Sequence, residues 1–194
     1  MIHILSLDVS TKTGYCVSSF SRSTIPTILE YGVFTDDERV KISDFCNFDR
    51  KSVFSIIESG QLLCSKVLSL IQKYDVDKVV IEQTNHLSKN RFSQKVLEWY
   101  HLQLILCLDK ASLFPYFIDT SSWRSISGCI MNKQDRKNNK LVKQKRKRGK
   151  ITSKHVAVRR VFELYGIDLK QGENDIADAI LMGVAFNEKL KSMD

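Results

Sequence analysis

Residues 4–17 read ILSLDVSTKTGYCV and predict a β-hairpin whose first strand ends on an acid. The apolar run before Asp8 contains β-branched residues and is typical of a strand buried in the middle of a sheet. A polar Ser-Thr-Lys turn leads into the alternating segment 13–19, so we expect the second strand to pair antiparallel with the first. The hairpin therefore places a carboxylate at the end of a central strand.

The rest of the chain continues this pattern outward from the hairpin. We predict a strand at 25–34, a helix at 55–74, a strand at 78–82, a helix at 91–110, a strand at 114–118, a short helix near Trp123, and helices at 153–165 and 173–189. Three antiparallel strands followed by β-α units indicate an α/β fold, a mixed five-stranded sheet with helices on both faces. We expect a single domain of 194 residues that carries a flexible basic insertion at about 133–152.

The net charge of +8 comes from one stretch of the chain. Eleven of the 30 Lys and Arg residues lie between Lys133 and Lys154, where the only acid is Asp135. The remainder carries 19 basic and 21 acidic residues. Such a block repels itself unless a polyanion neutralises it, so it indicates a phosphate backbone as its partner. The alternative is a solvated basic surface.

Other classes of protein are excluded by composition. There is no run of 18 apolar residues, so we expect no membrane span, and the N-terminus does not have the pattern of a signal peptide. The five cysteines are widely spaced and predict free buried thiols in a reducing cytoplasm: Cys16, Cys46, Cys64, Cys107 and Cys129.

Four acids stand at positions that favour a common site. Glu82 ends the strand KVVIE as Asp8 ends the first strand, and neighbouring strands would bring both carboxylates to one edge of the sheet. Asp175 and Asp178 are three residues apart, so they share one face of the last helix and border its apolar residues. Each acid alone could be a cap or a surface residue. Together they predict a site that needs a cation.

Carboxylate oxygens without a His or Cys cluster select Mg²⁺, with Mn²⁺ as a substitute, rather than zinc. Two such ions can activate water and stabilise the leaving oxygen of a phosphodiester. We therefore interpret Asp8, Glu82, Asp175 and Asp178 as metal ligands and catalytic residues. No organic small-molecule cofactor is expected.

Three segments resemble the RuvC family of Holliday-junction resolvases, particularly its phage-encoded members. They read ILSLDVSTKTGYCV at 4–17, VVIEQTNHLSKN at 79–90 and NDIADAILMGVA at 174–185. The resemblance implies a ribonuclease H-like fold, the same four acids as metal ligands, branched DNA as substrate and a homodimer. It places the dimer contact on the apolar face of the 91–110 helix, where ordinary core packing is the alternative.

The resemblance also implies basic residues that hold DNA beside the carboxylates. Arg124 and Lys154 fall where the family places such residues, and Lys89 and Arg91 precede or open the second helix. Further DNA contacts are expected in the basic segment, at Lys143, Lys145, Arg146, Lys147 and Arg148. The family's aromatic wedge after the Glu-Gln pair is replaced by Thr84-Asn85-His86, which leaves His86 or Phe92 as substitutes.

Three other functions are compatible with parts of this pattern. The segment DVSTKTG loosely matches the first phosphate motif of sugar kinases and actin-like ATPases, but those proteins need about twice this length and a second glycine-paired loop. A nuclease that cuts RNA could use the same acids. A non-catalytic nucleic-acid binder of this fold would tolerate Asp8→Asn, whereas a nuclease would keep binding and lose cleavage.

Overall fold

The computed structural model describes residues 1–10, 12–34, 50–84, 91–144 and 149–193, without the side chains of 50–53, 55 and 91–93. Its strands are β1 (His3–Asp8), β2 (Thr13–Ser19), β3 (Thr27–Phe34), β4 (Lys78–Glu82) and β5 (Tyr116–Ile118). They form one mixed sheet in the order β3-β2-β1-β4-β5. β1 to β3 are antiparallel, while β4 runs parallel to β1 and β5 parallel to β4. The predicted fold class is confirmed.

Helices cover both faces of this sheet. They are α1 (Arg50–Tyr74), α2 (Arg91–Lys110), α3 (Thr120–Ile126), α4 (Lys133–Lys143), α5 (Ser153–Tyr165) and α6 (Asn174–Lys191), with a 3₁₀ turn at Gln171–Glu173. No helix in the described parts of the chain is both long and apolar enough to cross a bilayer.

Alternate residues of the central strands point into two separate hydrophobic cores. Leu5 and Leu7 of β1 pack with α1 and α2, whereas Ile4 packs on the other face with α5 and α6. This division follows from the two-residue period of a strand, which sends successive side chains to opposite faces. The central strands β1, β2 and β4 are therefore buried on both sides, whereas β3 and β5 at the edges of the sheet keep exposed residues.

The apolar stripe of α2 belongs to the first of these cores. Val96, Tyr100, Leu104 and Leu108 are all less than 9% exposed and pack against α1 and the sheet. The expectation that this stripe forms a dimer contact is wrong for these residues, because burial within the chain already uses them. Leu102 and Leu106, on the outer side of α2, remain exposed.

The segment 133–152 is not the flexible insertion expected throughout its length. Residues 133–143 form α4, which begins with a capping box between Asn132 and Asp135. Charge repulsion in the sequence predicted disorder, but polar contacts with distant residues order this part of the chain, as described below. Residues 145–148 lie outside the described residues.

Candidate active site

Asp8 and Glu82 end adjacent parallel strands. Leu7 pairs with Ile81 in the register of β1 and β4, so the two acids that follow lie side by side at the carboxyl edge of the sheet. Both side chains are half-buried. The sequence-based placement of these two residues is confirmed.

The start of α6 closes over this edge because β2 carries a glycine there. Gly14 pairs with Asp8 across the hairpin, and a Cβ atom on it would lie 2.0 Å from the carbonyl oxygen of Asp175. One turn further along α6, the hydroxyl of Ser6 donates a hydrogen bond of 2.7 Å to the carbonyl of Ala179. These backbone contacts hold α6 against β1 and β2, which brings Asp175 and Asp178 to the same sheet edge.

The electrostatics of Asp8 agree with this placement of the four acids. Burial raises the pKa of Asp8 well above its ordinary value, and the charges of Glu82, Asp178 and Asp175 raise that pKa further. A hydrogen bond shared with Glu82 acts in the same direction. The first strand end is therefore in the field of three other carboxylates, drawn from β4 and α6.

Asp178 is the most buried of the four acids, at 7% exposure. Its Oδ2 lies 3.7 Å from Nη2 of Arg124, and its Oδ1 is buried without a hydrogen-bond donor among the described residues. Burial raises the pKa of Asp178 to about 7, although Arg124 and Lys154 pull that pKa down. The chain therefore holds a carboxylate whose charge it only partly compensates.

Glu82 is positioned by two donors that the sequence did not reveal. The hydroxyl of Thr120 and the indole Nε1 of Trp123, at 3.2 Å, both donate to its Oε1. The sequence predicted only a short helix near Trp123, and in the structure this fully buried side chain donates to the acid through its indole N–H. The Thr-Ser-Ser-Trp turn after a strand was the available signal, but the helix cap there is Asp119.

Asp175 has a neighbouring donor of its own. The side-chain amide of Asn174, a buried residue, donates to its Oδ1. This contact orients one carboxylate oxygen at the first turn of α6. Asn174 was not predicted from the sequence, because an asparagine in the first turn of a helix is not a specific signal.

The predicted DNA-binding residues divide into three groups. Arg124 lies beside Asp178, and Lys154, exposed in the first turn of α5, acts on the same carboxylate. Lys143 is exposed in the last turn of α4. The other predicted contacts, and the two wedge substitutes, lie outside the described residues or have side chains that do: Lys89, Arg91, Lys145, Arg146, Lys147, Arg148, His86 and Phe92.

The donor chemistry of the site fits a hard divalent cation. All four acids offer oxygen ligands, which Mg²⁺ and Mn²⁺ prefer, and the unpartnered Oδ1 of Asp178 is available for coordination. Within the described ranges, no three His, Cys, Asp or Glu side chains stand close enough to form a ready-made metal site.

Comparison with solved structures identifies the architecture. RuvC from T. thermophilus in complex with a Holliday junction substrate superposes with a TM-score of 0.63 at 12% identity, covering 97% of this chain and 96% of that one. The chain has the RuvC fold. A second Thermus thermophilus RuvC structure gives 0.62 at 13% identity over 97% and 96% of the two chains. The yeast mitochondrial Holliday junction resolvase gives 0.58 at 13% identity over 99% and 81%.

The RuvC fold extends over nearly the whole chain, from the hairpin to α6. No family model and no curated protein matches the sequence. At 12–13% identity the similarity concerns the path of the backbone. The resemblance read from the three sequence segments is confirmed at the level of the fold.

Proposed function

We propose that this chain is a divalent-metal-dependent endonuclease that hydrolyses phosphodiester bonds in branched DNA, Holliday junctions in particular. The observation that carries the proposal is the convergence of four carboxylates, from β1, β4 and α6, on one edge of a RuvC fold. The structural neighbours support the branched substrate, since one of them is described with a Holliday junction substrate.

In this proposal Asp8, Glu82, Asp175 and Asp178 hold Mg²⁺ or Mn²⁺. Bound there, the metal would supply an activated water and charge stabilisation for the departing oxygen. Thr120 and Trp123 both donate to Oε1 of Glu82, which fixes the position of this carboxylate. The burial of Asp178 limits water around its carboxylate and strengthens its interaction with a cation.

Arg124 and Lys154 hold the scissile phosphate in the proposed enzyme. Nη2 of Arg124 lies 3.7 Å from Oδ2 of Asp178, and the charge of Lys154 also lowers the pKa of that acid. The guanidinium of Arg124 also lies 4.9 Å from the ring of Trp123, which limits its range of positions. A phosphate entering the site would exchange the long 3.7 Å contact with Asp178 for charge-assisted hydrogen bonds from Arg124.

The proposal includes a homodimer, because two nicks across a two-fold junction call for two sites related by two-fold symmetry. The exposed side chains Leu102 and Leu106 supply apolar surface on the outer side of α2. We expect the protein to sediment as a dimer. Leu106→Glu should then shift it toward monomer and convert paired nicks into single, uncoupled nicks.

The decisive experiment compares Asp8→Asn with Asp109→Asn on labelled four-way junctions. Asp109 is an exposed acid near the end of α2, about 27 Å along the helix axis from its first residue. In Mg²⁺, Asp8→Asn should bind the junction and cut at least about a hundred-fold more slowly, the scale of a lost metal-ion contribution to the transition state. Asp109→Asn should cut like the wild type.

Three outcomes would contradict the proposal. Wild-type protein that binds junctions and never nicks them in Mg²⁺ or Mn²⁺ would be a non-catalytic binder. Equal cleavage by Asp8→Asn and the wild type would place the chemistry elsewhere. Faster cutting of RNA than of a DNA junction of the same sequence would make RNA the substrate.

A further inference from the structure

The outward face of α4 carries a stripe of five cations. They are exposed and recur at intervals of three or four residues, which places them on one side of the helix: Lys133, Arg136, Lys137, Lys140 and Lys143. Ten residue steps at 1.5 Å make the stripe about 15 Å long. Among the residues that the structure describes, none of the five forms an ion pair with an acid.

The inward face of α4 is held by polar contacts. Asp135, 3% exposed, accepts two hydrogen bonds from the guanidinium of Arg159, at 3.0 and 2.6 Å. Asn139 accepts from the backbone N–H of Ile151 at 2.8 Å and donates to its carbonyl at 2.7 Å. The two buried residues of this helix, Asp135 and Asn138, are both polar. Specific polar anchors, more than apolar burial, therefore order α4.

Fixing this face in place works against electrostatics. Like charges three or four residues apart destabilise a helix, and the stripe contains five such neighbouring pairs. A chain that needed only solubility could leave these cations on a disordered segment, where they would spread apart. Instead the contacts with α5 and Ile151 hold the five cations side by side, so they form a surface that can bind a row of anions.

The stripe is also fixed relative to the carboxylates. Lys154, which acts on Asp178, lies five residues before Arg159 on α5, so about 7.5 Å of helix separates it from the clamp on α4. Arg160 donates from Nε to the carbonyl of Ser127 at 2.9 Å, which ties the connection between α3 and α4 to the same helix. α5 thus braces the start of α4 against the elements that surround Asp178.

We propose that the outer face of α4 binds the phosphate backbone of a duplex DNA arm beside the point of cleavage. This inference rests on the proposed function, since it concerns the same substrate. One strand of B-DNA carries a charge for about every 3.4 Å of duplex axis, so a stripe of about 15 Å is long enough to contact more than one phosphate. Surfaces for single strands add aromatic platforms for the bases, and α4 contains no aromatic residue. The rigid stripe therefore fits a duplex.

The test uses two triple variants that remove the same charge. One combines Arg136→Gln, Lys137→Gln and Lys140→Gln on α4. The matched control combines Lys78→Gln, Lys110→Gln and Lys189→Gln, at the start of β4 and near the ends of α2 and α6, away from the carboxylate edge. Binding to a four-way junction is measured in EDTA over a range of salt concentrations, so that no cleavage interferes.

We expect the α4 variant to reduce the slope of log K against log salt by roughly two to three, about 0.9 for each lost phosphate contact. The control should keep the wild-type slope. Removing the outer part of the duplex arms, with the base pairs next to the crossover kept, should weaken binding by the wild type and leave binding by the α4 variant nearly unchanged. Thermal melting checks folding, and the α4 variant should melt no lower than the wild type because repulsion is relieved.

An α4 variant with the control's slope, or equal losses for both proteins on removing the outer part of the duplex arms, would overturn the inference. Its failure is distinguishable from failure of the proposed nuclease. If the protein never nicks junctions but shows the predicted change of slope, the catalytic proposal is wrong and this inference stands. If the protein nicks junctions and the slope does not change, only this inference is wrong. If the protein does not bind DNA, both are wrong.

Discussion

Two buried aspartates of similar exposure have opposite environments. Asp135 on α4, 3% exposed, is held by both terminal nitrogens of Arg159 and by the cap at Asn132, and these contacts lower its pKa. Asp178 on α6, 7% exposed, has an arginine only at 3.7 Å and one oxygen without a donor, and its pKa is raised to about 7.

The contrast separates a structural acid from a functional one. Burying a charge costs free energy unless it is paired and hydrogen-bonded, and the chain meets this requirement at Asp135. At Asp178 the charge is neither closely paired nor fully hydrogen-bonded, and two further carboxylates act both on it and on its neighbour Asp8. The missing partner at Asp178 is therefore the place where an external cation belongs.

The largest expected effect is on stability, at Asp135. Asp135→Asn removes the charge that pairs with Arg159, and we expect it to lower the free energy of unfolding by about 2–3 kcal/mol. This value is below that of a fully buried pair, because the side chain of Arg159 is 38% exposed and solvent screens its charge. Chemical denaturation measures the change, with Asp109→Asn as the control. A loss equal to that of the control would mean that the clamp does not hold α4.

Asp178→Asn should raise the free energy of unfolding of the metal-free protein, whereas Asp135→Asn lowers it. A raised folded-state pKa means that the carboxyl contributes stability below its unfolded pKa and loses it as pH rises from about 4 to about 7. The neutral amide avoids this loss, so we expect about 1–2 kcal/mol of added stability at pH 8. Below about pH 4 the difference should vanish, because Asp178 is then protonated in both the folded and the unfolded state. Destabilisation at pH 8 would contradict this account of the site.

Metal binding should follow the same titration. Protons compete with Mg²⁺ for Asp178 and Asp8, whose pKa values are both raised. Between pH 6 and pH 8 we expect the affinity for Mg²⁺ to rise, by up to about tenfold per pH unit for each proton released. Calorimetric titration at several pH values measures it. A pH-independent affinity in the wild type would place the metal away from these two acids.

The smallest expected change in stability is at Arg124, and Arg159 is its matched comparison. Arg124→Gln should cost less than about 1 kcal/mol of stability, because its contact with Asp178 is long and partly solvated. Arg159→Gln should cost more, because it breaks two short hydrogen bonds to a buried acid. The order should be the opposite for activity: Arg124→Gln should reduce junction cleavage more than Arg159→Gln. Equal rankings in both assays would remove the distinction between the two sites.

The sheet and the acids at its edge could be predicted from local sequence. IHILSLD and KVVIE are short apolar runs that end on an acid, and the period-two pattern of the hairpin placed them in a sheet. The spacing of Asp175 and Asp178 placed both on one helix face. These inferences needed only the residues within each element, which is why they were correct.

The order in α4 could not be predicted in this way. Its clamp joins Asp135 to Arg159, 24 residues away, and its second anchor joins Asn139 to the backbone of Ile151. Within the segment itself the dominant signal is repulsion between cations, which indicates an extended chain. The donors to Glu82 were missed for a similar reason, since Thr120 and Trp123 reach it only after β5 has paired with β4.

Gly14 has a consequence that reaches beyond its own strand. A Cβ atom at Gly14 would overlap the main chain of Asp175. The hydrogen atom that Gly14 has in place of a side chain therefore sets the width of the gap between the sheet edge and α6. Any larger residue would act as a wedge and move two carboxylates together while leaving every acid in the sequence intact. The spacing of the acidic cluster thus depends on a position that has no side chain and no charge.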